Sequence, residues 1–288
     1  MEKRRERLRA LLDSDGPILA PACIDAFSAR MVERAGFEVN YLTGNGASAA
    51  ALGRPDVGLM TMREVVDLCR NISMVTSIPL IADADTGYGN AINVIRTVQE
   101  MEAAGVCCLQ LEDQVTPKRC GHLPGSKPVV PLDEHVNKIR AAADARRDPN
   151  FLILARTDAA ADHGLDEAIR RAVAYREAGA DLTFIEIEGA PEDLTRIAKE
   201  VPGPLAATVD ESRREAPFSL EEFAALGFGL IIHPGIVRCA YLRAVMEVLE
   251  PLRREGTTRS VRDRLASFEE YNEALGIGEV RDWESKYL

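Results

Sequence analysis

Four phrases in this chain share one pattern. Arg34-Ala35-Gly36-Phe37, Ala103-Ala104-Gly105-Val106, Glu177-Ala178-Gly179-Ala180-Asp181 and Ala225-Leu226-Gly227-Phe228 each read as a helix end, a glycine and the entry to a strand. Glycine suits the left-handed residue that closes a helix. Recurrence of that turn is the mark of alternating β and α units. Eight short apolar runs fit the same scheme: Ile18–Ala22, Val39–Thr43, Leu80–Ala82, Val106–Leu111, Phe151–Ala155, Leu182–Ile185, Leu205–Ala207 and Leu230–Ile232. Most are too short for buried helices and are bounded by Gly, Pro or Asp. Helical period fills the gaps. Asn93–Ala104 repeats apolar residues at Val94, Ile95, Val98 and Met101, and Leu165–Ala178 opens on Asp166 and Glu167 and stops at Gly179.

Eight such units predict an α/β chain folded as a (β/α)8 TIM barrel rather than an open doubly wound sheet. No GxGxxG follows the first run, which counts against dinucleotide binding. The 288 residues suit one barrel of roughly 250 residues with some surplus. No Ser/Pro/Gly-rich linker divides them, so residues 1–288 are expected to form a single barrel domain. The surplus is Val237–Leu288, which begins as an apolar-periodic helix near Cys239–Leu252 and continues as charged helical segments through Arg259–Leu275. It is either a packed cap or an arm on a neighbouring subunit.

Composition narrows the partners. Lys plus Arg is 35 against 46 Asp plus Glu, a net charge of −11. Such a chain is repelled by nucleic-acid backbones and anionic membranes, so neither is expected as a partner. The start, MEKRRERLRALLDSDG, lacks a signal peptide's apolar stretch, and no run approaches 18 apolar residues, so the expected location is cytoplasmic. The six cysteines form no CxxC pair and no zinc spacing with histidine. Four lie in apolar or helical runs and are expected to be small buried hydrophobes.

In a barrel, chemistry gathers at the C-terminal ends of the strands. After the third run stand Asp83 and Asp85; after the fourth, Glu112 and Asp113; after the fifth, Arg156 and Asp158; after the sixth, Glu186 and Glu188; after the second, the turn Thr43-Gly44-Asn45-Gly46. Carboxylates brought to one mouth repel unless a cation or a proton intervenes. Oxygen donors without a supporting His or Cys cluster suit Mg²⁺, with Mn²⁺ possible, rather than zinc. Taken alone, Asp83 and Asp85 could equally bind turn amides. Arg156 either balances the acids or clamps a substrate carboxylate with its planar fork.

The segment Gln114–Pro131 is long for a βα loop, which suggests a lid. Lys118, Arg119 and His122 flank Cys120 there, and positive neighbours favour thiolate. A lid with an acid/base cysteine is a device for closing over a small anionic carboxylate substrate.

These residues resemble the isocitrate lyase/phosphoenolpyruvate mutase superfamily, in its short-chain branch of methylisocitrate- and dimethylmalate-type lyases and a carboxyphosphonoenolpyruvate phosphonomutase. The resemblance rests on Lys118-Arg119-Cys120-Gly121-His122 together with Asp83-Ala84-Asp85-Thr86-Gly87-Tyr88-Gly89-Asn90 and Leu111-Glu112-Asp113-Gln114. Thr43-Gly44-Asn45-Gly46, Leu52-Gly53-Arg54-Pro55-Asp56, Ala155-Arg156-Thr157-Asp158 and Phe184-Ile185-Glu186 complete it in order. It implies a barrel whose last helix is exchanged between subunits, in a homotetramer or dimer of dimers. It implies Mg²⁺ on Asp83 and Asp85, with Asp56 and Glu112 as outer partners. Thr43, Gly44 and Asn45 would bind a 2-oxo acid, with Gly121, His122 and Glu186 also at the substrate. Cys120 would protonate the carbanionic fragment while Arg156 holds an oxyanion; Lys118 and Glu112 join them as candidate catalytic residues.

The chain departs from that pattern after the seventh run. Ala207 stands where Asn is expected, Asp210 replaces Glu, and a Gly-Gly pair is absent. Thr208 could substitute, or Arg213 and Arg214 could bind a different anionic group, unless they are solvated charge. Pro234 stands where some oxaloacetate-cleaving relatives carry Ser. Three functions follow, in order: a Mg²⁺-dependent carbon–carbon lyase on a 2-hydroxy di- or tricarboxylate, a phosphonomutase, and a catalytically altered barrel that only binds.

Overall fold

The computed structural model describes residues 2–14, 16–187, 190–209, 211 and 218–288. Eight parallel strands close into a barrel in chain order: β1 (Ile18–Cys23), β2 (Asn40–Leu42), β3 (Leu80–Asp83), β4 (Cys108–Glu112), β5 (Leu152–Thr157), β6 (Leu182–Ile185), β7 (Leu205–Thr208) and β8 (Phe228–His233). Closure is made by β1 on β8, with Ile18 opposite Leu230 and Ala20 opposite Ile232. The (β/α)8 expectation holds.

The four repeated phrases do what their glycines predict. Gly36, Gly105, Gly179 and Gly227 have φ of 90°, 95°, 108° and 87°, and each follows a helix end. Alternation along the strands then sorts side chains into two layers. Ile18, Ala20 and Ala22, Leu152 and Leu154, Leu182 and Phe184, and Leu230 and Ile232 pack in one cluster inside the barrel. Leu109, Leu111, Ile153 and Ala155 face the other way, into a cluster with helix residues such as Val98, Ile139 and Tyr175.

Six of the eight strands run past the expected last residue, and β3, β4 and β5 thereby include Asp83, Glu112 and Arg156. An apolar-run criterion stops at the first charge. In a barrel the last inward residues face the mouth, so charge and strand geometry coexist there. Helix Ala91–Ala103 starts two residues early because Asn90 caps it, accepting from the backbone of Ile92 at 3.0 Å. Helix Ala160–Glu177 is broken at Gly164, so the periodic stretch from Leu165 is its second part.

The barrel bottom is closed by the N-terminal helix Glu2–Leu12. Leu8 is fully buried in the same cluster as Ile18 and Leu152. Arg5 donates to the carbonyls of Val106 (3.1 Å) and Glu102 (2.5 Å) and to Asp148 (3.0 Å). The C-terminal segment is helix Ile236–Glu255, a 3-10 turn Arg259–Arg264, and helices Phe268–Ala274 and Ile277–Tyr287. Helix Ile236–Glu255 buries none of its residues. No helix among the described residues is long and apolar enough to cross a membrane. Cys23, Cys69, Cys107 and Cys108 are buried and unpaired, as expected of small hydrophobes.

Candidate active site

Two neighbouring strands, β3 and β4, end on charge, and β5 carries Arg156 one residue before its end. Asp83 lies opposite Gln110 in the β3–β4 register, and Glu112 lies opposite Arg156 across β4–β5. Asp85 follows β3 in a left-handed conformation, φ 50°, which Asp tolerates better than most residues. Its backbone N–H donates to Asp83 Oδ1 at 3.1 Å, and the backbone N–H of Gly44 donates to Asp83 Oδ2 at 3.3 Å. Asp83 therefore does bind turn amides, and it does so while facing the mouth.

The Thr43–Gly46 stretch, expected as a turn, is the start of helix Gly44–Leu52 with Thr43 at its N-cap. That helix end is an anion-favouring site. Gly44 is required by close approach. A Cβ there would lie 2.9 Å from Asp83 Oδ2 and 3.3 Å from both Asp85 Oδ1 and Lys118 Nζ.

The segment Gln114–Pro131 lies across this mouth. An antiparallel bridge between Gln114 and Val129 closes its base. The Gln114 amide braces it from within, donating to the Arg119 carbonyl and accepting from the Arg119 N–H, both at 2.9 Å. Cys120 N–H donates to the Asp56 carbonyl at 3.1 Å. Gly121 rests on the site itself: a Cβ would fall 2.6 Å from the Arg156 guanidinium and 2.9 Å from the Glu186 carboxyl carbon. His122 Nε2 stands 3.7 Å from Glu186 Oε1.

The charges around Cys120 are arranged differently from the sequence reading. The Lys118 ammonium turns to Asp56 (2.7 Å) and Asp85 (2.8 Å). The Cys120 thiol instead receives the Asn45 side-chain amide at 3.3 Å. The segment bends at residues 116–117 and turns at 121–122 rather than running as a strand, so nearness in sequence is not nearness of charge.

Arg156 is gripped by acids. Its Nε and a terminal nitrogen donate to the two oxygens of Asp158 at 2.9 and 2.7 Å. Glu186 lies 3.2 Å away and Glu112 3.5 Å, and the guanidinium sits 5.2 Å above the Phe184 ring. Burial opposes its charge, but Asp158, Glu186 and Glu112 outweigh that and hold its pKa well above the ordinary range. Lys118 is likewise held charged, chiefly by Glu112 and Asp85, against its burial.

The acids are left short of positive charge. Burial pushes the Asp85 carboxyl up to about 6; Lys118 opposes this, while Asp83 and Asp56 add to it. Burial raises Glu112 well above the carboxylate range, and Glu186 is raised for the same reason. Glu112 Oε1 is buried without a hydrogen-bond partner among the described residues. Among those residues no three His, Cys, Asp or Glu side chains form a ready ligand cluster, and Lys118 stands between Asp56 and Asp85. The donor set nonetheless fits a hard cation held by one or two carboxylates that keeps its waters.

A cavity of about 30 Å³ in the mouth is lined by Tyr41, Thr43, Asn45, Asp83, Glu112, Lys118, Cys120, Gly121, His122 and Arg156, together with Thr208, Pro234 and Arg238. Two lining residues escaped the sequence reading. Tyr41 lay inside an apolar run; its hydroxyl donates to Gln110 at 3.1 Å. Arg238 lies in the first turn of a helix, where the dipole disfavours a cation, and that misplacement was the available signal. Its guanidinium bonds the Pro234 carbonyl. Glu188, Asp210, Arg213 and Arg214 lie outside the described residues. Glu211, next to the expected Asp210, accepts the Gly235 N–H at 2.8 Å and faces His233 Nδ1 at 3.2 Å.

Known proteins share this plan. The family model described as phosphoenolpyruvate phosphomutase matches residues 8–253. The chain is 43% identical to a 2,3-dimethylmalate lyase of Eubacterium barkeri over 281 residues, covering 98% of this chain and 97% of that one. An oxaloacetate acetylhydrolase in complex with 3,3-difluorooxalacetate superposes with a TM-score of 0.93 at 34% identity, covering 99% and 97%. A phosphonopyruvate hydrolase in complex with oxalate and Mg²⁺ gives 0.90 at 35%, covering 99% of each chain.

Proposed function

The chain belongs to the phosphoenolpyruvate phosphomutase family and is an enzyme of it, and from that premise we propose that it is a Mg²⁺-dependent carbon–carbon lyase. Its substrate is a 2-hydroxy di- or tricarboxylate of the methylisocitrate or alkylmalate type. The products are a 2-oxo acid and a carboxylate fragment. The observation that carries this reading is the seated lid, with the Cys120 thiol held by Asn45 beside the Arg156 fork that Gly121 covers.

The residues divide the work. Thr43, Gly44 and Asn45 present a helix N-terminus to the 2-oxo acid end. Arg156, oriented by Asp158, holds the oxyanion that develops there. The 2-hydroxyl gives its proton to a carboxylate of the mouth as the carbon–carbon bond breaks. The bond's electron pair leaves the second fragment as a carbanion beside that fragment's carboxylate, the Cys120 thiol protonates it, and the released proton restores the thiol. Gly121, His122 and Glu186 bound the substrate from the lid side. Asp83 and Asp85 would hold Mg²⁺, or Mn²⁺ in its place, with Asp56 and Glu112 outside them. The ion would supply positive charge to the developing oxyanion. Thr208 and Arg238, which line the same cavity, would meet the substrate's far end.

A coupled assay for 2-oxo acid release, run with Mg²⁺ over a panel of methylisocitrate- and alkylmalate-type substrates, tests the reading. Release from none of them overturns it. The family's phosphomutase description favours a second reading, a phosphonomutase using the same mouth. Phosphorus NMR of turnover mixtures separates the two, because only the mutase makes a new phosphonate signal. Asp83, Asp85, Cys120 and Arg156 in one mouth weigh against a barrel that only binds.

The same proposal gives the C-terminal segment 237–288 a use as a subunit arm in a homotetramer or dimer of dimers. Helix Ile236–Glu255 leaves Tyr241, Leu242 and Leu249 about half or more exposed beside an apolar groove bordered by Phe27, Met31 and Val237. Light scattering of the full chain and of a chain ending before Val237 checks this, a tetramer in the first being the expected result.

A further inference from the structure

Behind the mouth lies a polar cluster of which the proposed chemistry uses only Asp158. Asp113, Thr157, Asp158, Arg171 and Tyr175 are all at least nine-tenths buried, between β4–β5 and helix Ala160–Glu177. Asp113 Oδ2 accepts from Thr157 Oγ1 (2.7 Å), Tyr175 Oη (2.8 Å) and Arg171 (3.0 Å), and Oδ1 accepts from the backbone N–H of Asp158 (2.9 Å). Apolar residues of similar volume often match or exceed a buried ion pair in stability, so such a cluster asks for another reason.

Its connections supply one. Asp158, fixed through its backbone by Asp113, is the bidentate partner of Arg156. The lid's return strand is tied to the same point. The Val130 N–H donates to the Asp113 carbonyl at 2.8 Å, and the Val130 carbonyl accepts from Arg171 at 3.0 Å. Burial and the Asp113 carboxylate raise the Tyr175 phenol, so it stays a donor.

We propose that Asp113 is a positioning residue which, with Arg171 and Tyr175, sets both the fork of Arg156 and the seat of the lid. One carboxylate thereby registers the substrate-binding arginine and the cysteine-bearing lid against each other. The Arg156 half of this inference rests on the lyase reading; the lid half does not.

The test compares Tyr175→Phe and Asp113→Asn with Ile197→Ala, a core variant in helix Pro191–Glu200, which supplies none of the cluster's residues. Ile197→Ala lowers Tm but leaves kcat and lid exchange at wild-type values. In Tyr175→Phe, kcat is expected to fall about 10-fold with KM changed less than about 2-fold, and in Asp113→Asn about 100-fold, as for a misplaced catalytic group. Amide hydrogen exchange over 114–131, measured without substrate, is expected to quicken about 10-fold in both. Tyr175→Phe carries the test if Asp113→Asn does not fold. Wild-type turnover on the panel decides the lyase reading separately; if there is none, lid exchange alone decides this inference. Exchange and kcat no different from Ile197→Ala overturn it.

Discussion

The two ends of the barrel are both lined with charge, and they use it in opposite ways. At the bottom the charged groups that lie under the strands have found partners. Arg5 meets two carbonyls and Asp148, Arg9 and Arg146 share Asp181, and Asp181 also accepts the Ile153 N–H. Glu102 takes the N–H groups of Arg147 and Asp148. At the mouth Asp56, Asp83, Asp85, Glu112, Asp158 and Glu186 crowd two cations, Lys118 and Arg156, and Glu112 Oε1 has no partner among the described residues. Identical chemistry serves cohesion where it is satisfied and reactivity where it is left wanting. Active sites commonly cost stability in this manner.

Substitutions at the two ends should therefore separate activity from stability. The largest effect is expected for Asp85→Asn. Turnover with Mg²⁺ should fall by about 10³-fold, the scale of several kcal/mol of charge stabilisation. Its Tm should hold or rise, because burial already pushes this carboxyl up to about 6; differential scanning calorimetry beside the oxo-acid assay checks both. A clear drop in Tm would break the contrast. Cys120→Ala comes next, with kcat down by about 10² or more from loss of the general acid and Tm little changed.

Arg5→Ala, at the other end, should do the reverse. Breaking a buried ion pair costs about 3–5 kcal/mol, read by urea unfolding, while kcat at a temperature where the chain stays folded is unaltered. The smallest effect is expected at His135, which is fully buried behind the mouth with both ring nitrogens unpartnered among the described residues and packs on the Tyr175 ring at 4.7 Å. Burial, then Lys138 and Arg171, hold its pKa down to about 3 from 6.5. The fold binds fewer protons than the unfolded chain between those values, so stability falls as pH drops through that window. His135→Phe should add about 1 kcal/mol at pH 7. Its advantage over wild type should widen below pH 6.5, by up to about 1.4 kcal/mol per pH unit. An advantage independent of pH would show that His135 is not buried neutral.

The barrel was legible because its turns are local. Gly36, Gly105, Gly179 and Gly227 each declare a helix end without reference to the rest of the chain. The acids of the mouth were legible because each interrupts an apolar run, as Asp83 and Glu112 do. Pairing was not legible. That Lys118 would choose Asp56 and Asp85, leaving Cys120 to Asn45, depends on how the irregular 114–131 segment bends over the mouth. Tyr41 passed for core because an aromatic inside a run carries no mark of its one polar atom. The Asp113 cluster was hidden for a third reason: Arg171 and Tyr175 lie roughly sixty residues from Asp113 and look like ordinary helix-surface and core residues.

On the lyase reading, the size of the cavity in the mouth has a consequence in time. About 30 Å³ holds roughly two waters, far less than a di- or tricarboxylate. Every cycle would then include one unseating and one reseating of the 114–131 segment, and each unseating would exchange the Lys118 contacts with Asp56 and Asp85 for water. The rhythm of this enzyme is in that case kept by an ammonium letting go of two acids, so solvent viscosity and dissolved salt become rate-setting variables alongside the bond being broken.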